Sequence, residues 1–361
     1  MDELKEYRSN ISEIDKKMAA LFEERMENCK KIADYKQKNG LSVRDIKREN
    51  DLVAVNKELI ADDEIRPYYV NFLKNNIDLS CSYQEMQMSG MKIAYSGVEG
   101  AFAFIAAKKM FPKSRLVSNG DFVEAYRSVE AGDADCAVLP IENSLAGEVG
   151  TVMDLMYSGT LYINQIYDLP VRHHLLGVPG STIDDIKTVV SHPQAINQCG
   201  KYLGRRRIST ETATNTAVAA KMISEKSDKS IGAIASEATA ELYGLDILDH
   251  DIQDVSTNST RFAVFSRSMN THDNSIKYEN ESFILVFTVK NEAGALASTL
   301  NIIGAHGYNM RSLKSRPMKD LQWNYYFYIE AEGNINNQNG KDMLQELSAL
   351  CAGLKLVGTY H

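Results

Sequence analysis

Apolar residues near the start of the chain fall at Leu4, Tyr7, Ile11, Ile14, Met18 and Leu21, a 3,4,3,4,3 spacing. That rhythm predicts one apolar seam along a helix over roughly residues 3–38, free of proline and ended by Gly40. Such a helix is about 50 Å long at 1.5 Å per residue. The helical residues 1–86 are too few to cover both of its ends, so a dimer of helices is expected. A second helix is expected from near Asp45 and a third from about Pro67 to Met88. The first domain is therefore placed at 1–88, with "QMSGM" (87–91) as a short linker. The pattern then changes. "KIAYSG" (92–97), "CAVLPIENS" (136–144), "TVVSHPQAINQC" (188–199), "IGAIASEATAELYG" (231–244) and "STRFAVFS" (259–266) are apolar, strand-like runs that break into small polar residues or helix starts. The polar, aperiodic "SMNTHDNSIKYENE" (268–281) reads as a second linker. The last segment reads strand, helix, strand, strand, helix, strand, with its second helix over 339–352. Domains over 91–268 and 281–361 follow, the first α/β and the second α+β with its sheet half exposed.

Polar residues interrupt this frame in informative places. Arg25 stands in phase with Leu4, Ile11, Met18 and Ile32, and a guanidinium among core positions needs a partner. Lys36 lies about 20° round the same helix. Arg8 is roughly 25 Å along the axis from Arg25, so any pocket it serves belongs to a partner chain. In "VRDIKREN" (43–50), Asp45, Arg48 and Glu49 share a face at i, i+3 and i+4, and Ser80 and Gln84 do so on the third helix. Three helices can thus bring Arg25, Lys36, Asp45, Arg48, Glu49, Ser80 and Gln84 to one cavity. The competing reading is a solvated face laced with ion pairs. In the α/β segment small polar residues gather at strand C-termini and helix N-termini, where ligands bind in open sheets and anions are favoured. "GVEG" (97–100) is not a dinucleotide fingerprint, since GxGxxG is absent there.

Composition narrows the classes. A net charge of −8 argues against nucleic acid or an anionic membrane as partner, and Arg205-Arg206-Arg207 reads as a solvated loop or helix end. Five scattered cysteines with no CxxC pair indicate a reducing compartment and no metal framework. The charged N-terminus lacks a signal peptide's apolar run, and no stretch approaches the ~20 apolar residues of a membrane span. A cytoplasmic location is expected. Asn258 opens a glycosylation sequon that is set aside for the same reason.

Residues 1–86 resemble the all-helical chorismate mutase domain, a three-helix intertwined dimer. Two arginines and a lysine on the long helix are matched by Arg8, Arg25 and Lys36, the D-x-x-R-E motif by "DIKRE" and a late Ser-x-x-x-Gln by "SCSYQ". The resemblance implies conversion of chorismate to prephenate, with Arg8 supplied by the other subunit. That rearrangement needs no nucleophile, metal or cofactor. It needs a flexible dianion held in a compact chair by arginines, and donors such as Lys36 and Gln84 on the breaking ether oxygen. Asp45 and Glu49 would orient the ring hydroxyl or neighbouring cations.

"PIENS", "SHPQAINQC" and "TRF" resemble prephenate dehydratase across 91–268. The implied fold is two α/β lobes around a cleft, like type II periplasmic binding proteins. The implied site residues are Asn143, Ser144, Ser191, His192, Gln198, Thr260, Arg261 and Phe262, with Thr216 where the family has a threonine. Thr260 would hydrogen-bond the leaving hydroxyl. Asn143, Ser191, Gln198 and Arg261 would position substrate, and His192 is either a general acid or a structural histidine on a turn. Ala101 and Ala103 stand where a Ser or Thr is expected. The last segment resembles the ferredoxin-like ACT regulatory domain. Its phenylalanine motifs are matched by Gly294, Ala295 and Leu296 and by Ser315, Arg316 and Pro317. Ala293 replaces the usual proline, and Lys314 replaces a glutamate, a charge reversal beside an amino-acid site.

The whole resembles a fused mutase and dehydratase with feedback inhibition by phenylalanine, acting as a homodimer or homotetramer. Two rivals remain at this point: a dehydratase of arogenate, and a non-catalytic amino-acid sensor.

Overall fold

The structure, a computed structural model, describes residues 3–39, 41, 43–269, 281–318 and 324–361. Gly40, most of the 268–281 linker and Trp323 lie outside them. The chain divides into two compact units, Met1–Lys92 with Lys113–Arg115, and Ile93–Pro112 with Leu116–His361.

The first unit holds α1 (Glu3–Lys38), α2 (Ile46–Asn56) and α3 (Arg66–Ser89). Asp45 caps α2, its side chain accepting the Arg48 N–H at 3.1 Å. Pro67 lies in the first turn of α3. That helix runs on to Ser89 and closes at Gly90, whose φ of 74° is the glycine-favoured region. The linker expected over 87–91 is thus mostly helix. Cys29 and Ala33 on α1 and Leu73, Ile77 and Cys81 on α3 are buried. The seam from Leu4 to Leu21 is not, and Leu21 is 65% exposed.

The remaining chain runs β1 (Lys92–Ser96), α4 (Phe102–Met110), β2 (Arg115–Asn119), α5 (Phe122–Ala131), β3 (Cys136–Asn143), β4 (Gly147–Glu148), α6 (Gly150–Ser158), β5 (Tyr162–Pro170) and β6 (His174–Gly177). It continues β7 (Thr188–Ser191), α7 (Pro193–Gln198), α8 (Gly200–Arg206), β8 (Ser209–Thr212), α9 (Thr216–Lys226), β9 (Ile231–Ala235), α10 (Glu237–Tyr243), β10 (Asp246–Asp249) and β11 (Ser259–Ser266). It ends β12 (Ser282–Thr288), α11 (Ala295–Ala305), β13 (Asn309–Pro317), β14 (Tyr325–Glu332), α12 (Gln338–Leu350) and β15 (Gly353–Tyr360).

These strands form two sheets. One has the order β13-β14-β12-β15-β5-β11-β3-β1-β2 with β4 on β3, the other β10-β6-β9-β7-β8. The chain crosses between them twice, from β5 to β6 and from β10 to β11. Val171 on the first crossing donates its N–H to the Asn258 carbonyl on the second at 2.9 Å. The C-terminal strands join the first sheet where Gly358 pairs with Ile163. A Cβ on Gly358 would come within 1.9 Å of the Ile163 carbonyl oxygen, so only glycine lets the strands meet. Alternation along β12 sends Phe283, Leu285 and Phe287 under α11 and α12, and Ile284 and Val286 into the core around Tyr126, Met153 and Phe265. This shared core places the expected second and third domains in one compact unit.

Candidate active sites

Three helices meet around a cavity of about 1080 Å³ in the first unit. Arg25 and Lys36 reach it from α1, Asp45, Arg48 and Glu49 from the start of α2, and Ser80 and Gln84 from α3. Arg25 Nε donates to Ser80 Oγ at 2.9 Å, and Ser80 Oγ donates to the Asn76 carbonyl at 2.7 Å. Ser80 thus fixes one edge of the guanidinium. Lys36 Nζ donates to the Val43 carbonyl. Gln84 is 6% exposed, and its Oε1 has no partner among the described residues. An unsatisfied buried amide oxygen costs about 1–3 kcal/mol, so the arrangement suits a group brought by a ligand.

Arg44 was missed from the sequence. It lines the cavity and bonds Asp78 Oδ1 at 2.7 Å and Glu49 Oε2 at 3.3 Å, the Asp78 bond raising its pKa. Its signal was adjacency to Asp45 in a charged run, but it precedes the helix and so shares no helical face. Arg8 is exposed on α1 and is not among the described lining residues.

The second cavity, of about 360 Å³, opens where the two sheets face each other. Asn143 at the end of β3, Thr260 and Phe262 on β11, His192 and Gln198 at the two ends of α7 and Thr216 at the start of α9 all line it. Asn143 Nδ2 donates to Thr260 Oγ1 at 2.9 Å, which leaves the Thr260 hydroxyl hydrogen free to be donated. His192 caps α7 by accepting the Gln194 N–H through Nδ1 at 3.2 Å, so it is structural while also lining the cavity.

Three expected residues are corrected. Arg261 lies between Thr260 and Phe262 on a strand, and successive strand residues point to opposite faces, so it turns away from the cavity. Ser191 is fully buried, and its Oγ donates to the Ile234 carbonyl at 2.7 Å, tying β7 to β9. Ser144 is exposed beyond the turn of β3 and accepts the Ser259 N–H at 3.0 Å, so it supports the strand that carries Thr260.

His173 and Asn258 also line the cavity and were missed. His173 is 1% exposed, and burial pushes its imidazole below the usual value. Asn258 is 3% exposed, which removes it as a glycosylation site, and its only sequence signal was standing two residues before Thr260. Among the described lining residues there is no lysine or arginine, and Glu148 is the only carboxylate. Ala101, Phe102 and Ala103 at the start of α4, and Asn215 and Thr216 at the start of α9, bring helix N-termini to the wall.

The chorismate mutase type II family model matches residues 7–85, and the prephenate dehydratase model residues 93–270. A bifunctional chorismate mutase/prephenate dehydratase of Aquifex aeolicus (strain VF5) is 30% identical over 367 residues, covering 100% of this chain and 98% of that protein. The chain belongs to the bifunctional chorismate mutase/prephenate dehydratase family. It is an isomerase and a carbon–oxygen lyase of phenylalanine biosynthesis, which overturns the non-catalytic sensor reading. An arogenate dehydratase/prephenate dehydratase of Arabidopsis thaliana is 34% identical over 286 residues, 75% of this chain and 72% of that one. The solved prephenate dehydratase of Arthrobacter aurescens, in complex with L-Phe, superposes with a TM-score of 0.68 at 26% identity, covering 74% of this chain and 89% of that one. Among the described residues no helix is long and apolar enough to cross a membrane.

In this bifunctional enzyme the charged neighbours of the dehydratase residues are engaged by the C-terminal strands. Arg261 grips Glu330 bidentately at 2.8 and 2.9 Å, with Tyr360 donating to the same carboxylate. Burial pushes the Glu330 pKa up, but the bonds from Arg261 and Tyr360 outweigh it and hold the carboxyl below its usual range. Lys314 pairs with Glu142 at 2.6 Å, next to Asn143. Arg316 pairs with Asp154 at 3.0 Å and Glu148 at 3.6 Å. Gly294 caps α11 at a φ of 85°, and Ser315 and Pro317 lie on the exposed face of β13.

The same strands hold α6 at its centre and its C-terminus. Arg316 meets the middle of the helix through Asp154, where Tyr326 also donates at 2.7 Å while stacking on Tyr157 at 4.5 Å. Lys355 donates to the Met156 carbonyl at 2.9 Å and to that of Gly159, closing the C-terminus. The residues that lead into α6, Gly147, Glu148 and Val149, line the dehydratase cavity.

Proposed function

We propose that the first cavity folds chorismate into its reactive chair and that the second aromatises prephenate, with Lys36, Gln84 and Thr260 touching the reacting atoms. In the first, Arg25 and Arg48 clamp the carboxylates, and Arg8 of a second copy completes the clamp along the exposed α1 seam. Lys36 and a Gln84 turned to present its NH2 stabilise the growing charge on the ether oxygen. In the second, the bond to the ring carboxylate breaks and carbon dioxide leaves. Its electron pair enters the ring, the carbon–oxygen bond at the opposite ring carbon breaks, and the departing hydroxyl leaves as water after gaining a proton. Thr260 donates to that oxygen as charge develops. The observation that carries this reading is the Asn143–Thr260 bond, which occupies the threonine oxygen as acceptor and leaves its hydrogen for the leaving group. Asn143, Gln198, Thr216 and Phe262 place the substrate.

Prephenate is favoured over arogenate for two reasons. The fused mutase makes prephenate directly. Arogenate carries an ammonium group, and the one carboxylate in the described cavity wall, Glu148, lies 3.6 Å from Arg316.

The C-terminal segment has strand order β13-β14-β12-β15 with two helices between its strands, which supports a ferredoxin-like, ACT-type domain with phenylalanine as effector. Its route to the cleft is α6. An effector that moves β13 shifts Arg316, and with it the Gly147–Val149 wall. Phenylpyruvate formation from chorismate, with and without phenylalanine, tests the whole. Product suppressed by phenylalanine is expected. Accumulated prephenate without phenylpyruvate would refute the role given to Thr260, and product indifferent to phenylalanine would refute the effector assignment.

A further inference from the structure

Thr260 is one end of a hydrogen-bond chain whose direction is fixed at its anchor. The backbone N–H groups of Leu145 and Ala146 meet Asn143 Oδ1 at 3.1 and 2.9 Å. A backbone N–H can only donate, so this atom is the amide oxygen and the other terminal atom of Asn143 is its NH2. That NH2 meets Thr260 Oγ1 and Asn258 Oδ1, each at 2.9 Å, and more distantly the Ser259 carbonyl at 3.1 Å. Asn258 therefore offers its oxygen there and its own NH2 to Gln198 Oε1 at 3.2 Å. Gln198 Oε1 is an acceptor, so His173 Nε2, 2.9 Å away, carries a hydrogen and donates it.

His173 and Asn258 sit on the two crossings between the sheets, while Gln198 belongs to the lobe of β7 and Asn143 and Thr260 to the lobe of β3. Among the described residues His173 Nδ1 is buried without a partner, and the Nε2–H makes the ring's hydrogen bond. Nothing in the reaction requires either residue to touch substrate.

We propose that His173 and Asn258 are positioning residues for Thr260, holding Gln198 and Asn143 in the one orientation that leaves the Thr260 hydrogen directed at the substrate. This rests on the role given above to Thr260. The geometry ties that hydroxyl to the two segments that cross between the lobes, so its orientation is set through His173 and Asn258 at the back of the cavity.

The test uses the full-length enzyme with supplied prephenate, and its mutase activity as the folding control. Asn258→Ala and His173→Leu are expected to lower dehydratase kcat about tenfold to a hundredfold, as when one buried hydrogen bond to an acting group is lost. KM should stay within about threefold. His173→Gln can still place an N–H near Gln198 and should recover most of kcat. Asn258→Asp keeps the acceptor for Asn143 and removes the donor to Gln198, so it should fall with Asn258→Ala and serves if the alanine variant does not fold. The deciding measurement is the double variant. Adding Asn258→Ala to Thr260→Ala should cost nothing further in kcat, because its effect passes through Thr260. Losses that multiply, or an Asn258→Ala enzyme with unchanged kcat, would overturn the proposal. If Thr260→Ala alone kept full turnover, the role of Thr260 itself would fail, a separate result.

Discussion

The two domains act on closely related dianions, and the cavities found in them treat charge in opposite ways. Around the mutase cavity stand Arg25, Lys31, Lys36, Arg44 and Arg48, with Asp45 and Glu49 among them. The described wall of the dehydratase cavity has no such cation; it has Thr260, Asn143, Gln198, Thr216 and the N-terminal ends of α4 and α9. The reactions explain the difference. The rearrangement keeps both carboxylates, so cations can hold them throughout. The dehydratase must lose a carboxylate as neutral carbon dioxide, and a cation gripping that group would stabilise the starting state more than the transition state. Charge is nevertheless close by in sequence. Arg261 is next to Thr260 and Glu142 next to Asn143, but strand alternation puts them on the other face, where Glu330 and Lys314 engage them.

The largest effects should separate the two sites. Lys36→Ala should lower mutase kcat about a thousandfold and leave dehydration of supplied prephenate unchanged, and Thr260→Ala should do the reverse by about a hundredfold to a thousandfold. Steady-state assays with each substrate decide it, and a folded variant that loses both activities would break the comparison. Next comes the pair behind the cleft. Glu330→Gln removes the buried partner of Arg261, which keeps only the longer pairs with Asp168 at 3.5 Å and Glu142 at 3.7 Å, and should destabilise the second unit by about 1–3 kcal/mol in denaturant unfolding. The KM for prephenate should be unaffected; a raised KM with unchanged stability would return Arg261 to the substrate. The pH dependence has a definite sign. The folded Glu330 pKa is depressed, so its contribution is full above the unfolded value near about 4.3 and is lost as pH falls through the lower folded value. Glu330→Gln should therefore flatten acid unfolding below about pH 4.

The first site was readable because charge in an apolar seam is conspicuous and a 3.6-residue period says which side chains share a face. Arg25 announced itself that way, as did Asp45, Arg48 and Glu49. Arg44 was lost because it stands before the first turn, where no period applies. In the dehydratase the motif "TRF" offered three consecutive residues, but a strand of period two admits only Thr260 and Phe262 to one face. His173 and Asn258 lie on irregular crossings with no period, and their partners are 25, 60 and 115 residues away in sequence. No local pattern encodes contacts of that separation. In the sequence Lys314 is a charge reversal beside an effector motif; its partner Glu142 is 172 residues away, so the pairing shows only in the folded chain.

A smaller effect sharpens the contrast at the C-terminal strands. Arg316→Ala removes the link to Asp154 and to Glu148 of the cleft wall, while Arg316 is not itself among the described lining residues. It should leave uninhibited turnover within about twofold and weaken inhibition by phenylalanine about threefold to tenfold, the range of ordinary allosteric coupling. Unchanged inhibition would remove α6 as the route.

The smallest effect bears most directly on the difference in charge. Raising ionic strength from about 0.05 to 0.5 M shortens the Debye length severalfold and weakens attraction between a dianion and partly exposed cations. The KM for chorismate should rise a few-fold, because Arg44 in the cavity wall is 45% exposed at its side chain and open to screening. The described wall of the dehydratase cavity has no cation to screen, and the whole chain, at −8, repels its substrate. Its KM for prephenate should therefore stay level or fall slightly over the same range. Opposite salt slopes from one preparation would show that the sites hold like-charged substrates by different means. Parallel rising slopes would mean that a cation reaches the dehydratase substrate after all, and Arg261 or Lys314 would then have to leave its carboxylate to supply it.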